Sequence, residues 1–128
     1  MPFFGQEILL ESLETENLIE QYQRAIDATQ KTKAETIAFL KSNKLDAFVG
    51  LTRGPAWKIN YEGGDWPAMS DTIMIDSGGY AAHNGMPHIT IPYFKINDFP
   101  VGISVIGRRW DDKEIIKYAA AIEKTNLN

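Results

Sequence analysis

The sequence contains no cysteine among its 128 residues, and only two histidines. Composition alone therefore excludes disulfide frameworks, thiolate metal sites and a cysteine nucleophile. The histidines, His83 and His88, are five positions apart, whereas two metal ligands on one helical face are four apart. We accordingly predict no metal site and no cofactor.

Long apolar runs and a strong charge bias are also missing. The apolar runs are too short to cross a bilayer, and no basic and apolar leader opens the sequence, so we expect a cytoplasmic protein without membrane contact. The net charge is only -4, and the basic residues are scattered among acidic ones, which argues against nucleic-acid binding. Length and composition are typical of one globular domain spanning residues 1–128.

The first third of the chain has helical periodicity. Residues 5–14 predict a short helix, and the stretch from Glu16 to about Asn43 lacks both Gly and Pro. Apolar positions at helical spacing in that stretch predict one long helix with a single buried stripe. The stripe comprises Leu18, Tyr22, Ala25, Ile26, Thr29, Ile37 and Leu40.

The rest of the chain predicts a small sheet closed by a helix. Short apolar segments predict strands at Leu45–Thr52, His88–Phe94 and Val101–Arg108, and a long loop separates the first two. Asp111 and Glu114 resemble a capping box at the start of the closing helix. Its buried face is predicted to hold Ile115, Ala119 and Ile122, with Ile116 and Ala120 beside them. The fold class is therefore α/β, with a small mixed sheet of about three strands flanked by a long N-terminal helix and a C-terminal helix.

The stretch "DSGGYAAHNGMPHIT", residues 76–90, suggests a nucleophile with a base. An activated serine needs a partner within hydrogen-bonding reach, and the hydrolase elbow requires G-x-S-x-G, whereas residues 75–79 read "IDSGG". We interpret Ser77 as the start of a helix or a bend rather than a nucleophile. His88 opens an apolar strand, where a buried neutral imidazole is the ordinary outcome.

Four aromatic residues lie on the long loop. A loop of this length in a compact domain is usually functional or docks on something. Its aromatic side chains either line a ligand pocket or fasten the loop to the body, and the sequence favours neither alternative. They are Trp57, Tyr61, Trp66 and Tyr80.

Three segments of the chain together resemble the C-terminal end of the amidase signature family. They read "LDAFVGLTRGPAWKIN", "SGGYAAHNGMPHITIPYF" and "FPVGISVIGRRWDDKEIIKYAAAIEK", and the opening "PFFGQEIL" resembles the family's "PYFGQE" segment. The resemblance is specific because irregular Gly and Pro placements agree in order and spacing. The positions that we expect to have structural roles are Gly54, Pro55, Gly85, Pro87, Gly102 and Gly107.

The resemblance implies amide hydrolysis by a serine nucleophile, a bridging serine and a lysine base in the first half of a typical member. No Gly/Ser-rich segment of that kind is present here, so no catalytic residue is carried over. The resemblance therefore implies a C-terminal amidase fragment, inactive alone. The alternative is a non-catalytic accessory subunit that completes a separately encoded amidase core.

The same resemblance implies a substrate pocket and a partner. The residues expected to line the pocket are Trp57, Trp66, Ser77 and Tyr80. The expected partner is a missing N-terminal amidase core, or another chain, bound through exposed sheet edges. Self-association through the same edges is a further expectation.

Overall fold

The computed structural model describes residues 5–64 and 75–126. Its helices are α1 (Glu7–Leu13), α2 (Ile19–Ser42), α3 (Ser77–Asn84) and α4 (Asp112–Asn126), with a 3-10 helix (Glu14–Asn17) between the first two. The strands are β1 (Ala47–Leu51), β2 (His88–Ile96) and β3 (Phe99–Gly107). Within these ranges, no helix has both the length and the apolar character that crossing a membrane requires.

The strands form one sheet in the order β1-β3-β2. The predicted α/β class, the small sheet and the flanking helices are confirmed. Both strand pairings are antiparallel, where a mixed sheet was expected. Strands β2 and β3 extend further into their connection than predicted because Asn97 and Asp98, with φ of 49° and 68°, make a tight left-handed hairpin turn.

One face of the sheet is closed by α4. Ile91 and Val105 on the strands pack against Ile115 and Ala119 on the helix, and none of the four is more than 3% exposed. Gly107 permits this close approach, since a side chain there would collide with Ile115. The predicted buried face of the closing helix is therefore confirmed at Ile115 and Ala119, and Ile122 is partly buried beside them. The prediction is wrong for Ile116 and Ala120, which are exposed because they lie on the side of the helix away from the sheet.

The opposite face packs against α2 and α3. Successive residues of a strand point to opposite faces, so Ile106 leaves the sheet on the side away from Val105. It joins a cluster with Leu40 of α2, Ala81 of α3 and Met86, and Phe48 packs against that cluster. The sheet thus lies between α4 on one side and the α2 and α3 pair on the other.

The prediction of one buried stripe along α2 is wrong for most of its length. Only Thr36 and Leu40 of this helix are buried. Leu18 just before it is 41% exposed, and Tyr22 and Ile37 are 66% and 48% exposed. Periodicity identifies the apolar face of a helix, but burial requires a neighbour, and α3 packs against α2 only near its C-terminal end.

Helix α3 interrupts the segment that was predicted to be a loop. The Asp76 side chain accepts a hydrogen bond from the Gly79 backbone N–H at 2.9 Å, which caps the helix N-terminus. Gly85, with φ of 61°, ends it in the left-handed conformation that glycine adopts easily. The interpretation of Ser77 as a helix start is confirmed. The second and third residues of this short helix are glycines, which gives it a weak intrinsic helix propensity. The sequence therefore did not predict the full extent of α3.

Candidate functional site

A pocket of about 300 Å³ opens between β1, the start of α3 and β3. Its walls are mostly apolar, and its polar groups come from the first residues of α3 and the residue before them. We call it the α3 pocket. It is lined by Phe48, Val49, Gly50, Ile75, Asp76, Ser77, Tyr80 and Ile106.

The structure brings two of the predicted lining residues together at this pocket. Ser77 and Tyr80 both line it, from the first and second turns of α3. Trp57 lies outside its lining and is half-buried, with the Arg53 guanidinium 5.0 Å from the centre of its ring. Trp66 lies outside the described residues.

The Ser77 hydroxyl fastens α3 to β1. It donates a hydrogen bond to the Leu51 carbonyl at 2.5 Å, and the Ser77 backbone N–H donates to the Thr52 carbonyl at 3.2 Å. A backbone carbonyl is not a general base, so this contact does not activate the hydroxyl for attack. His83 is bonded elsewhere, with its Nδ1 2.7 Å from the Gly79 carbonyl oxygen of its own helix.

Beside the pocket lies a chain of hydrogen bonds that we call the hydroxyl cluster: His88, Ser104, Thr52 and Thr90. Ser104 Oγ donates to Thr52 Oγ1 at 2.8 Å, and Thr52 Oγ1 donates to Thr90 Oγ1 at 3.4 Å. His88 Nε2 is 2.6 Å from Ser104 Oγ. Because the single proton of Ser104 is directed at Thr52, His88 Nε2 is the donor to Ser104.

The hydroxyl cluster satisfies buried polar atoms and does not present a nucleophile. Ser104 is completely buried, so its pairing with His88 has no access to substrate. Gly102 is part of the same arrangement, since a side chain there would lie 2.6 Å from Thr90 Cγ2 and 3.0 Å from Thr52 Oγ1. Across the described residues, every buried side-chain nitrogen or oxygen has a hydrogen-bond partner.

Sequence reasoning singled out His88 but missed the other members of this cluster. Thr90 and Ser104 pair directly across β2 and β3, so their side chains share one face of the sheet. The available signal was a hydroxyl residue within each of two apolar strands. Strand register, which the sequence did not supply, is needed to bring them together.

A second polar contact holds the pocket's tyrosine. Thr36 Oγ1 of α2 donates to Asn84 Oδ1 at 3.2 Å and lies 3.1 Å from the Tyr80 hydroxyl. With the Thr36 proton used on Asn84, the Tyr80 hydroxyl donates to Thr36. Helix α2 thus fixes the wall of the α3 pocket.

The remaining residues that were predicted to have structural roles lie next to strand ends. The Pro87 carbonyl accepts a hydrogen bond from the Gly107 N–H at 3.1 Å, which aligns the start of β2 with the end of β3. Gly54 and Pro55 are half-buried just after β1.

Charged groups lie at the end of the sheet where β1 begins and β3 ends. The pKa of the Arg108 guanidinium is raised, first by its hydrogen bond to Asp111 and then by the charges of Asp111 and Asp46. Arg108 Nε lies 2.7 Å from Asp111 Oδ2, which ties the end of β3 to the start of α4. The part of the chain that the structure describes contains no cluster of side chains suited to holding a metal ion.

Comparison of the sequence with curated proteins finds amidotransferases. The chain is 45% identical over 42 residues to the A subunit of glutamyl-tRNA(Gln) amidotransferase from Thermotoga maritima. It is 35% identical over 83 residues to the same protein from Lactococcus lactis subsp. lactis. These alignments cover 33% and 64% of this chain but only 9% and 17% of those relatives. No family model matches the sequence.

Comparison with solved structures extends the likeness to nearly the whole chain. The crystal structure of PAM12A matches 99% of it with a TM-score of 0.81 and 33% identity. The peptide amidase of Stenotrophomonas maltophilia also matches 99%, with a TM-score of 0.77 and 29% identity.

In both cases the chain spans only 25% of the solved protein. The likeness in sequence and the likeness in fold agree with one another. The chain is therefore similar, over nearly its whole length, to part of the solved peptide amidase, which agrees with the resemblance to the C-terminal portion of the amidase signature family.

Proposed function

We propose that this chain is the C-terminal segment of an amidase, that it contributes one wall of a substrate pocket, and that it does not hydrolyse amides by itself. The observation that carries the proposal is the likeness of 99% of the chain to only 25% of a solved protein, at a TM-score of 0.81. Within this proposal the protein acts in the cytoplasm. Ser77 and Tyr80 are the residues of the sequence prediction that we propose to line the pocket.

The α3 pocket supports a role in substrate contact rather than in bond cleavage. Phe48, Tyr80 and Ile106 offer apolar surface, while Asp76 and Ser77 place polar atoms at its edge. Pockets of this composition hold the apolar part of a ligand and orient its polar part. The Ser77 proton is used on a backbone carbonyl, which is consistent with a catalytic serine elsewhere.

The test is amide hydrolysis by the purified chain. We expect incubation with a C-terminally amidated peptide, followed by mass spectrometry, to show no hydrolysis above buffer for either the wild type or Ser77→Ala. A protein that hydrolyses the peptide, and loses that activity on Ser77→Ala, would disprove the proposal.

The alternative is an accessory subunit that completes a separately encoded amidase core, and the two sheet edges favour it. Edge strand β2 carries Pro92, a bulge and Lys95, features that block further pairing. Strand β1 has neither proline nor charge, and its central Val49 is 58% exposed. A strand from another chain would therefore add to β1.

The backbone of Val49 provides a sharp test of that edge. Thr52 donates to Gly102 on β3, so in the antiparallel alternation Val49 turns its N–H and C=O away from β3. We expect the chain, co-expressed with Stenotrophomonas maltophilia peptide amidase truncated of the matching quarter, to form a complex and restore peptide-amide hydrolysis.

The variant Val49→Pro removes the backbone N–H that points away from β3, so it should abolish complex formation. The variant Val49→Thr keeps that N–H and should bind the truncated amidase. Equal binding by the two variants, or no complex with wild type, would refute this alternative.

A further inference from the structure

The N-terminal part of the chain combines negative charge with exposed apolar surface. Residues 5–23, which we call the acidic arm, contain five glutamates and no lysine or arginine. The arm alone is therefore more negative than the whole chain, whose net charge is -4. Its glutamates are Glu7, Glu11, Glu14, Glu16 and Glu20.

No residue of α1 or of the 3-10 helix is buried. The large side chains of α1 are Ile8, Leu9, Leu10 and Leu13, which are 68%, 65%, 61% and 71% exposed. Contiguous apolar side chains on a protein surface mark interaction sites. Helix α1 has seven residues and no side-chain cap, and a helix that short is not stable in water without tertiary packing. A surface that covers its apolar side chains would stabilise it.

A groove continues this apolar surface onto the start of α2. It has a volume of about 540 Å³, and Leu18, Ile19 and Tyr22 are among the side chains that line it. Ile19 and Tyr22 are 73% and 66% exposed. The groove therefore adds a second exposed apolar surface to the arm, and Glu16 is among its lining residues.

We propose that the acidic arm docks on a basic-rimmed apolar groove of an amidase core. This inference rests on the proposed function and names the chemistry of the partner's surface. In PAM12A, the region matching nearly this whole chain occupies 25% of a longer protein, so further chain is available there to cover the arm.

The proposal commits to a different chain rather than to a second copy. This chain matches 25% of PAM12A, so the rest of an amidase is the surface that such a segment would adjoin. A second copy is an outcome that the experiment below distinguishes.

Each part of the arm has a different role in this docking. Burial of the leucine side chains supplies most of the affinity, because it removes apolar area from water. The glutamates attract the basic rim, which speeds association and makes it sensitive to salt. Apolar substitutions should therefore accelerate dissociation, and charge substitutions should slow association.

The experiment measures binding of the full chain to Stenotrophomonas maltophilia peptide amidase truncated of the matching quarter, by biolayer interferometry from about 0.05 to about 0.5 M NaCl. We expect Leu9→Ser/Leu13→Ser to weaken binding by about tenfold or more. The matched control is Ile116→Ser, which changes an apolar side chain that is 58% exposed on α4. It should bind as wild type.

The charge variant is Glu7→Gln/Glu11→Gln/Glu14→Gln. At low salt, its association rate constant should be lower than that of wild type by about threefold or more, and this rate constant should depend much less on salt. Its control neutralises the same number of carboxylates outside the arm. That control is Glu62→Gln/Asp98→Asn/Glu123→Gln, which should match wild type. Circular dichroism of the charge variant and its control should match that of wild type, because the three substituted residues of the arm are exposed.

Binding of the core with equal strength by arm variants and controls would overturn the docking proposal and leave the β1 edge proposal standing. If the truncated amidase did not bind the wild-type chain at all, both the docking proposal and the β1 edge proposal would be disproved. A dimer of this chain, detected by light scattering and lost in the arm variants, would assign the arm to a second copy and also overturn the proposal.

Discussion

Helix α4 and the start of α2 have similar amphipathic sequences but very different surroundings. On α4, Ile115 and Ala119 are each 3% exposed against the sheet, whereas Ile19 and Tyr22 of α2 are 73% and 66% exposed. The hairpin of β2 and β3 is adjacent in sequence to α4 and covers it. Described residues provide no such cover for the start of α2. The α4 side of the fold is therefore covered within this chain, whereas no described residue covers the exposed side chains at the start of α2.

The largest expected effect comes from the covered side. Ile115→Ala should lower the free energy of unfolding by about 2–5 kcal/mol, because it leaves a cavity between α4 and the sheet. The neighbouring Ile116 is 58% exposed and provides the control, since Ile116→Ala should change stability by less than about 0.5 kcal/mol. Urea unfolding followed by circular dichroism measures both variants. Equal losses would mean that α4 is not packed as described.

An intermediate effect is expected from the hydroxyl cluster on the opposite face. Ser104→Ala removes the acceptor for His88 Nε2 and the donor to Thr52, so it should cost about 1–3 kcal/mol. Ser42 is the control, because its hydroxyl bonds to the Phe39 carbonyl at an exposed position. Ser42→Ala should cost less than about 0.5 kcal/mol in the same urea experiment.

A second readout tests the hydrogen bond between His88 and Ser104 directly. In Ser104→Ala, the His88 Nε2 proton should exchange faster with solvent by NMR because it has lost its acceptor. An unchanged exchange rate would contradict the assignment of His88 as the donor.

The sequence predicted the elements whose signals are local. Apolar spacing located Ile115 and Ala119, and the strands were placed within a few residues of their observed bounds. The start of α3 at Ser77 was anticipated as a helix or a bend, but its extent was missed because Gly78 and Gly79 weaken its propensity. Tertiary bonds of Ser77, Tyr80 and Asn84 hold it. The hydroxyl cluster was missed because it joins β1, β2 and β3, whose pairing depends on contacts distant in sequence. The stripe on α2 was predicted correctly as apolar but wrongly as buried.

The smallest expected effect tests the uncovered side directly. Ile19→Ala and Leu40→Ala make the same kind of truncation at the two ends of α2, at positions that are 73% and 0% exposed. Leu40→Ala should cost about 2–5 kcal/mol, and Ile19→Ala less than about 0.5 kcal/mol, when the chain is unfolded alone in urea.

If Ile19→Ala cost as much as Leu40→Ala, the chain would be covering its own N-terminal helices. A loss that grew with protein concentration would identify a second copy as the cover, because self-association stabilises the folded state by mass action. If another chain covers this surface, Ile19→Ala should lower the free energy of unfolding only slightly at every protein concentration. The same variant should bind an amidase core with much lower affinity than wild type.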